Sequence, residues 1–256
     1  MSLSMFSLKG KTSIVTGGSG GIGFAIAKSL AAAGSNVGLL YGGNKKALDY
    51  ARELRETYHV KSEAYSCSIE KRNAVLETTN QAVKELGGRL DIMVANAGIA
   101  IPHLALEDEN EDIWTKVVNV NLNGAYYTAQ AAGHHFKNQG SGSLIFTASM
   151  SGHIANWPQQ WASYHATKGA VKHLSRALAV EWAPFARVNS VSPGYIDTDL
   201  TLYADEKLRK QWKDLTPQGR IGLPEELVGA YVYLASDASS YCTGTDIVVD
   251  GGYVSR

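Results

Sequence analysis

Cysteine is nearly missing from this chain of 256 residues: only Cys67 and Cys242 carry thiols, far apart and without a second pair. That excludes a cysteine-based zinc cluster and argues against a disulfide framework, so both read as buried thiols of a reducing compartment. Excess charge is missing as well. Lys plus Arg number 24 and Asp plus Glu 24, which leaves no clustered basic surplus for nucleic acid or an anionic membrane. No run approaches the roughly 18 apolar residues of a membrane span, and Met1 to Lys11 holds neither a long apolar core nor a small-residue cleavage signal. The expectation is a soluble, cytoplasmic protein with no nucleic-acid partner, no membrane partner and no metal. With 45% hydrophobic residues, the chain can build the core of one large domain.

What is present starts with punctuation by glycine. Thr12 to Thr16 is a β-branched run, followed at once by Gly17-Gly18-Ser19-Gly20-Gly21-Ile22-Gly23 and then by the helix formers Phe24 to Ala33. Strand, glycine turn and helix in that order suit a pyrophosphate, because glycine lets the backbone approach a ligand and a helix start offers unpaired N–H groups. Asn36 to Tyr41 reads as the second strand, and its end bears on cofactor choice. A carboxylate there would bind the ribose 2′-hydroxyl of NAD and repel a 2′-phosphate. Tyr41, Gly42, Gly43 and Asn44 stand there instead, followed by Lys45 and Lys46, with no acid before Asp49. NADP(H) is therefore favoured, although the two lysines equally suit the start of a solvated helix.

Further on, strand and helix patterns alternate. Asn44 to Tyr58 reads as helix, Ser62 to Cys67 as strand, Ile69 to Leu86 as amphipathic helix and Leu90 to Ala95 as strand. Asp112 to Phe136 follows as one long helix, Ser143 to Thr147 as a buried strand and Gln160 to Trp182 as helix. Arg187 to Val191, Pro224 to Ala235 and Asp246 to Val249 complete the series as strand, helix and strand. This predicts an α/β fold: a Rossmann-type doubly wound parallel sheet of about seven strands with helices on both faces. Asn119, Asn121 and Asn123 are unusual inside a helix, where asparagine competes for backbone bonds, and invite a kink or a function. The segment Thr201 to Leu215 suits either a mobile lid or a plain surface helix.

Tyr-x-x-x-Lys occurs three times, at Tyr41/Lys45, Tyr164/Lys168 and Tyr203/Lys207. Only Tyr164/Lys168 opens a helix after a serine placed just past the carboxyl end of a buried strand, where open α/β sheets bind ligands: Ser149 is preferred on position, with Ser151 and Ser163 as competitors. On one helix face, Lys168 can favour the ionised form of Tyr164 and make it a usable proton donor. The intervening loop, Met150 to Trp161, is apolar and aromatic. Met150, Ser151, His153, Trp157 and the later Tyr195 are candidates for a substrate wall, although such a loop could equally serve packing or a subunit contact. His165 reads as structural.

Thr16-Gly17 with Gly21 and Gly23, Asn96-Ala97-Gly98, Asn121, Ser149, Tyr164/Lys168, Pro193-Gly194 with Thr198, and Asp250-Gly251-Gly252 occur in order. With them the whole chain resembles the short-chain dehydrogenase/reductase family. Phe6 to Lys11, Glu181 to Arg187 and Ser192 to Asp199 narrow the resemblance to fungal carbonyl and ketose reductases, the sorbose reductase, mannitol 2-dehydrogenase and L-xylulose reductase branch. The resemblance implies a single domain over 1–256, with a cofactor half of about 8–148 and a catalytic half of about 149–256. It implies Tyr164 as general acid and base, Ser149 on the substrate oxygen, Lys168 on the nicotinamide ribose and lowering the tyrosine pKa, and Asn121 holding a relay water. Gly17, Ser19, Gly21, Ile22, Gly23, Ser68, Ile69, Asn96 and Gly98 would meet the cofactor, together with Pro193, Gly194, Ile196 and Thr198. A homotetramer or dimer formed through the two long helices is also implied.

Three positions depart from the family pattern. Gly20 stands where many NADP-linked relatives carry arginine, Ser68 where an aspartate often meets adenine, and Ala95 where asparagine is usual. The expected activity is hydride transfer between NADP(H) and a small-molecule ketone or ketose. A 3-oxoacyl thioester reductase and a catalytically silent NADP(H)-binding sensor or scaffold are the alternatives.

Overall fold

The computed structural model describes residues 3–106, 112–201 and 204–255. Among these, seven strands, β1 (Thr12–Thr16), β2 (Asn36–Tyr41), β3 (Ser62–Ser66), β4 (Ile92–Ala95), β5 (Ser143–Thr147), β6 (Arg187–Pro193) and β7 (Asp246–Val249), form one sheet in the order β3-β2-β1-β4-β5-β6-β7. Every pairing is parallel. The central strands β1, β4 and β5 are buried at every residue, which is why they read as continuous apolar or β-branched runs rather than alternating ones. The chain winds outward from β1 to β3, then returns to β4 on the other side of β1. That reversal opens a crevice at the carboxyl ends of β1 and β4.

Helices α1 (Gly21–Ala32), α2 (Lys46–Tyr58), α3 (Arg72–Leu86), α4 (Asp112–Val118), α5 (Gly124–Gln139), α6 (Ala162–Trp182), α7 (Glu206–Leu215) and α8 (Val228–Ala235) cover the two faces. On one face Val75, Phe136, Val171 and Trp182 from α3, α5 and α6 pack on Leu144, Phe146 and Val188. On the other, Ile26, Leu30, Leu54, Leu234 and Tyr231 from α1, α2 and α8 pack on Val15, Leu39 and Val94. Cys67 is buried as expected, whereas Cys242 is only half-buried; both thiols are free.

The segment expected as one helix from Asp112 to Phe136 is interrupted. A π-helical turn at Asn119–Asn123 separates α4 from α5. Asn123 Nδ2 donates to Asn119 Oδ1 at 2.8 Å, while Asn121 between them turns inward and is buried. The extra residue of the turn thus lets one amide face the core. Strand β6 runs two residues past Val191, to Pro193 opposite Val249. Where the sequence suits a mobile lid or a plain surface helix, Glu206–Leu215 forms helix α7, which is not purely a surface helix: Asp205 caps it by accepting from Leu208 N, and Trp212 is fully buried and stacks on Tyr195 with ring centroids 4.4 Å apart. Tyr203, of the third Tyr/Lys pair, lies outside the described residues.

Candidate active site

The glycine turn holds its shape for steric reasons. Gly17 adopts a φ of 67°, the left-handed region. A Cβ on Gly23 would lie 2.2 Å from the Gly17 carbonyl oxygen, so only glycine lets α1 begin this close to β1. Thr16 and Asn96 tie the neighbouring strand ends together. Thr16 Oγ1 accepts from the peptide N–H groups of Asn96 and Ala97, each at 3.0 Å, and Asn96 Nδ2 donates to the Thr16 carbonyl at 3.0 Å. Thr147 Oγ1 on β5 donates to Asn96 Oδ1 at 3.2 Å.

One cavity of about 390 Å³ runs from this turn to the end of β5, lined by Gly17, Ser19, Gly21, Ile22, Gly23, Asn96 and Gly98 on one side. Ser149, Tyr164, Lys168, Pro193, Gly194, Ile196 and Thr198 line the other. A cradle of backbone N–H groups at a helix start, closed to any Cβ at Gly23, fits the pyrophosphate of a dinucleotide.

Helix α6 presents Tyr164 and Lys168 one turn apart beneath Ser149. Ser149 Oγ accepts from Ser151 N at 3.1 Å and is hydrogen-bonded to the Tyr164 side chain. Lys168 Nζ donates to the Thr147 carbonyl at 2.8 Å and lies 5.6 Å from the centre of the Tyr164 ring. Burial pushes the Tyr164 phenol up, and only the Ser149 hydrogen bond opposes it. The Lys168 ammonium beside the ring is the group expected to favour the phenolate, and burial acts in the opposite direction. Burial brings Lys168 itself down to about 8. A phenol that keeps its proton at neutral pH suits a general acid.

Asn121 does not reach the cavity wall. Its Oδ1 accepts from Ile99 N at 2.8 Å, and its Nδ2 donates to Ile99 O at 2.9 Å and Thr167 Oγ1 at 3.3 Å. The side-chain amide is spent on the Ile99 peptide, so it shapes the loop after β4.

The adenosine end is only partly gathered. Asn44 lines the cavity and donates to the Ser19 carbonyl at 3.3 Å, but Tyr41 is buried at the end of β2 and lies off the cavity wall. Gly42, Gly43, Lys45, Lys46 and Ser68 are solvent-exposed. Ile69 packs under Gly124 and against the core, which removes it from the wall.

Of the substrate candidates, Met150, Ser151 and Tyr195 line the cavity; His153 and Trp157 do not. His153 Nε2 is drawn to Asp246 Oδ2 at 2.7 Å on β7. Trp157 is 65% exposed, and its carbonyl accepts from Tyr253 OH at 3.0 Å. Asn156 and Gln159 take their places on the wall. Three amides, Asn156, Gln159 and Gln160, inside a largely apolar loop were the available signal. His165 is structural as expected: its Nδ1 bonds the Trp161 carbonyl at 2.7 Å.

Residues 17–254 match the family described as enoyl-(acyl carrier protein) reductase. The chain is 83% identical to sorbose reductase sou1 of Schizosaccharomyces pombe over 253 residues, covering 99% of each chain. It is 48% identical to an NADP-dependent mannitol dehydrogenase of Hypocrea jecorina, over 99% of this chain and 96% of that one. Among solved structures, the NADPH-dependent 3-quinuclidinone reductase of Rhodotorula rubra superposes with a TM-score of 0.95 at 41% identity, over 99% of this chain and 94% of that one.

Proposed function

The chain belongs to the short-chain dehydrogenase/reductase family, and from that premise we propose that it is an NADP(H)-dependent oxidoreductase of ketoses and the corresponding polyols. The observation that carries this is the meeting of Ser149, Tyr164 and Lys168 in the cavity that starts at the glycine turn. The similarity to a sorbose reductase and to an NADP-dependent mannitol dehydrogenase supports both the sugar class and NADP(H). The absence of a carboxylate between Tyr41 and Asp49 supports the same cofactor.

When bound, the nicotinamide supplies or takes the hydride. The chain's own residues manage the oxygen and its proton. Ser149 Oγ donates to the substrate carbonyl and orients it, while Tyr164, kept protonated by burial, delivers the proton to the same oxygen in reduction and removes it in oxidation. Lys168, anchored on the Thr147 carbonyl, would hold the ribose hydroxyls and stabilise the phenolate as it forms. Gly17, Ser19, Gly21, Ile22 and Gly23 would hold the pyrophosphate, and Asn96, Gly98, Pro193, Gly194, Ile196 and Thr198 would hold the nicotinamide end. Neither alternative is favoured. The balanced charge gives no overall basic excess to draw an acidic acyl carrier, and a silent sensor has no use for an assembled Ser149/Tyr164 pair.

The protein acts as one domain, its cofactor half (about 8–148) and catalytic half (about 149–256) sharing one sheet, and works in the cytoplasm. Among the described residues no helix is long and apolar enough to cross a membrane. It assembles as a dimer or tetramer, a reading supported by exposed Trp114 and Tyr126 on α4 and α5 and Val180 on α6. Initial rates with NADPH and NADH against L-sorbose, D-fructose, L-xylulose and an aryl ketone test the activity. No cofactor oxidation with any ketone ends the proposal.

A further inference from the structure

Asn156 is 4% exposed, in a loop whose neighbours are largely apolar. A buried amide is costly unless its bonds are made, and here they are made to cavity residues. Ser151 Oγ donates to Asn156 Oδ1 at 2.6 Å, and Asn156 Nδ2 donates to Tyr195 OH at 3.2 Å and to Gln159 Oε1. The peptide N–H of Asn156 donates to His165 Nε2 at 3.2 Å. His165 must therefore carry its proton on Nδ1, where it donates to the Trp161 carbonyl. The backbone and the amide of Asn156 are both fixed.

These bonds continue those of Ser149. Ser149 Oγ accepts from Ser151 N, and Ser151 passes to Asn156, which passes to Gln159 and Tyr195. A polar ribbon thus links Ser149 to Ser151, Asn156, Gln159 and Tyr195 on the wall of a cavity that Met150, Trp161, Ile99 and Ile196 also line. Because Ser151 gives its proton to Asn156, its oxygen is left as an acceptor on a residue of the cavity wall, the partner a substrate hydroxyl needs. A wall for an apolar ketone would need none of this.

We propose that Asn156 is the positioning residue of a hydroxyl-recognition strip formed with Ser151, Gln159 and Tyr195, which selects ketones bearing hydroxyls along the carbon chain over apolar ketones. This rests on the ketone-reductase reading above and adds the device that chooses the substrate class. A site built to bond hydroxyls discriminates steeply, because its buried polar groups are left unpaired by an apolar competitor.

The test is the ratio of kcat/KM for L-sorbose to kcat/KM for cyclohexanone, with NADPH, in wild type, Asn156→Leu and Ser151→Ala. Asn156→Leu is expected to lower the ratio at least about 30-fold, chiefly through the KM for sorbose, and Ser151→Ala about tenfold, the loss of one hydrogen bond. Should Asn156→Leu fail to fold, Ser151→Ala decides alone. Parallel losses toward both ketones, or an unchanged ratio, overturn the strip while leaving the enzyme a ketose reductase. A wild type that reduces cyclohexanone but no sugar overturns both the strip and the sugar class. A wild type that reduces neither ends the ketone-reductase reading, and the strip with it.

Discussion

Lys168 donates its ammonium to the main-chain oxygen of Thr147 at 2.8 Å, so the last residue of β5 and the second turn of α6 share one buried hydrogen bond. The ammonium is held in place without a carboxylate, and burial lowers its pKa from 10.5 to about 8. A lysine lowered on folding binds fewer protons in the native state. Its penalty is full below about pH 8 and is relieved as pH rises through 8 towards 10.5. Wild type should therefore gain stability relative to Lys168→Met between those values, by at most about 3 kcal/mol. Urea denaturation of both proteins at pH 7 and pH 10 measures this. A difference independent of pH would tell against the buried ammonium.

Tyr164 is the proposed proton donor in reduction; Tyr195, also on the cavity wall, is stacked on Trp212 and its hydroxyl accepts from Asn156 Nδ2. Tyr164→Phe keeps the ring and its edge contact with Trp161, 6.1 Å between centroids, but removes the acid. Turnover should fall about a thousandfold or more, while the Kd for NADPH, read by fluorescence quenching, changes less than about threefold. A variant with near-normal kcat would remove Tyr164 from the mechanism.

Asn121 serves as the brace of the loop after β4, since its amide takes both the N–H and the C=O of Ile99. Asn121→Leu leaves those two groups without their partner and should cost about 2–4 kcal/mol of stability. Because Gly98 and Ile99 line the cavity, NADPH binding should weaken as well. Loss of turnover with stability and NADPH affinity both intact would instead assign Asn121 a direct part in proton relay.

The sequence was most informative where one residue type has one physical use. The glycine turn, the strand-end Ser149 and the helix-borne Tyr164 and Lys168 were legible because backbone approach, sheet polarity and helical spacing are local properties. The parallel sheet was legible from runs such as Thr12 to Thr16, buried on both faces. The substrate loop was not. His153 and Asp246 are 93 residues apart, and nothing near His153 signals that β7 will draw it off the cavity. The charge of Lys168 likewise suggested a lowered tyrosine pKa, whereas the burial that pushes the Tyr164 phenol up is a property of the folded chain. The π-turn was half legible, since three asparagines marked the place without saying which one would turn inward.

Cofactor choice can be tested at two glycines that tolerate side chains. Gly20 has a φ of −99°, and a Cβ there would meet only the Gly17 oxygen at 3.6 Å, while one on Gly42 would meet nothing within 4 Å. Neither substitution strains the backbone, so each reports on charge. Gly20→Arg supplies a guanidinium where the glycine turn opens to solvent and should raise the ratio of kcat/KM for NADPH to that for NADH by about tenfold. Gly42→Asp places a carboxylate at the end of β2, where it accepts from a ribose hydroxyl and repels a 2′-phosphate, and should lower the same ratio by about tenfold or more. Tyr41→Asp is the poorer probe: Tyr41 is 8% exposed, so an aspartate there would report the cost of burying a carboxylate. Opposite movements of the ratio in Gly20→Arg and Gly42→Asp locate the 2′-phosphate between α1 and the end of β2. A ratio unmoved by either would mean that the adenosine leaves the cavity along another edge.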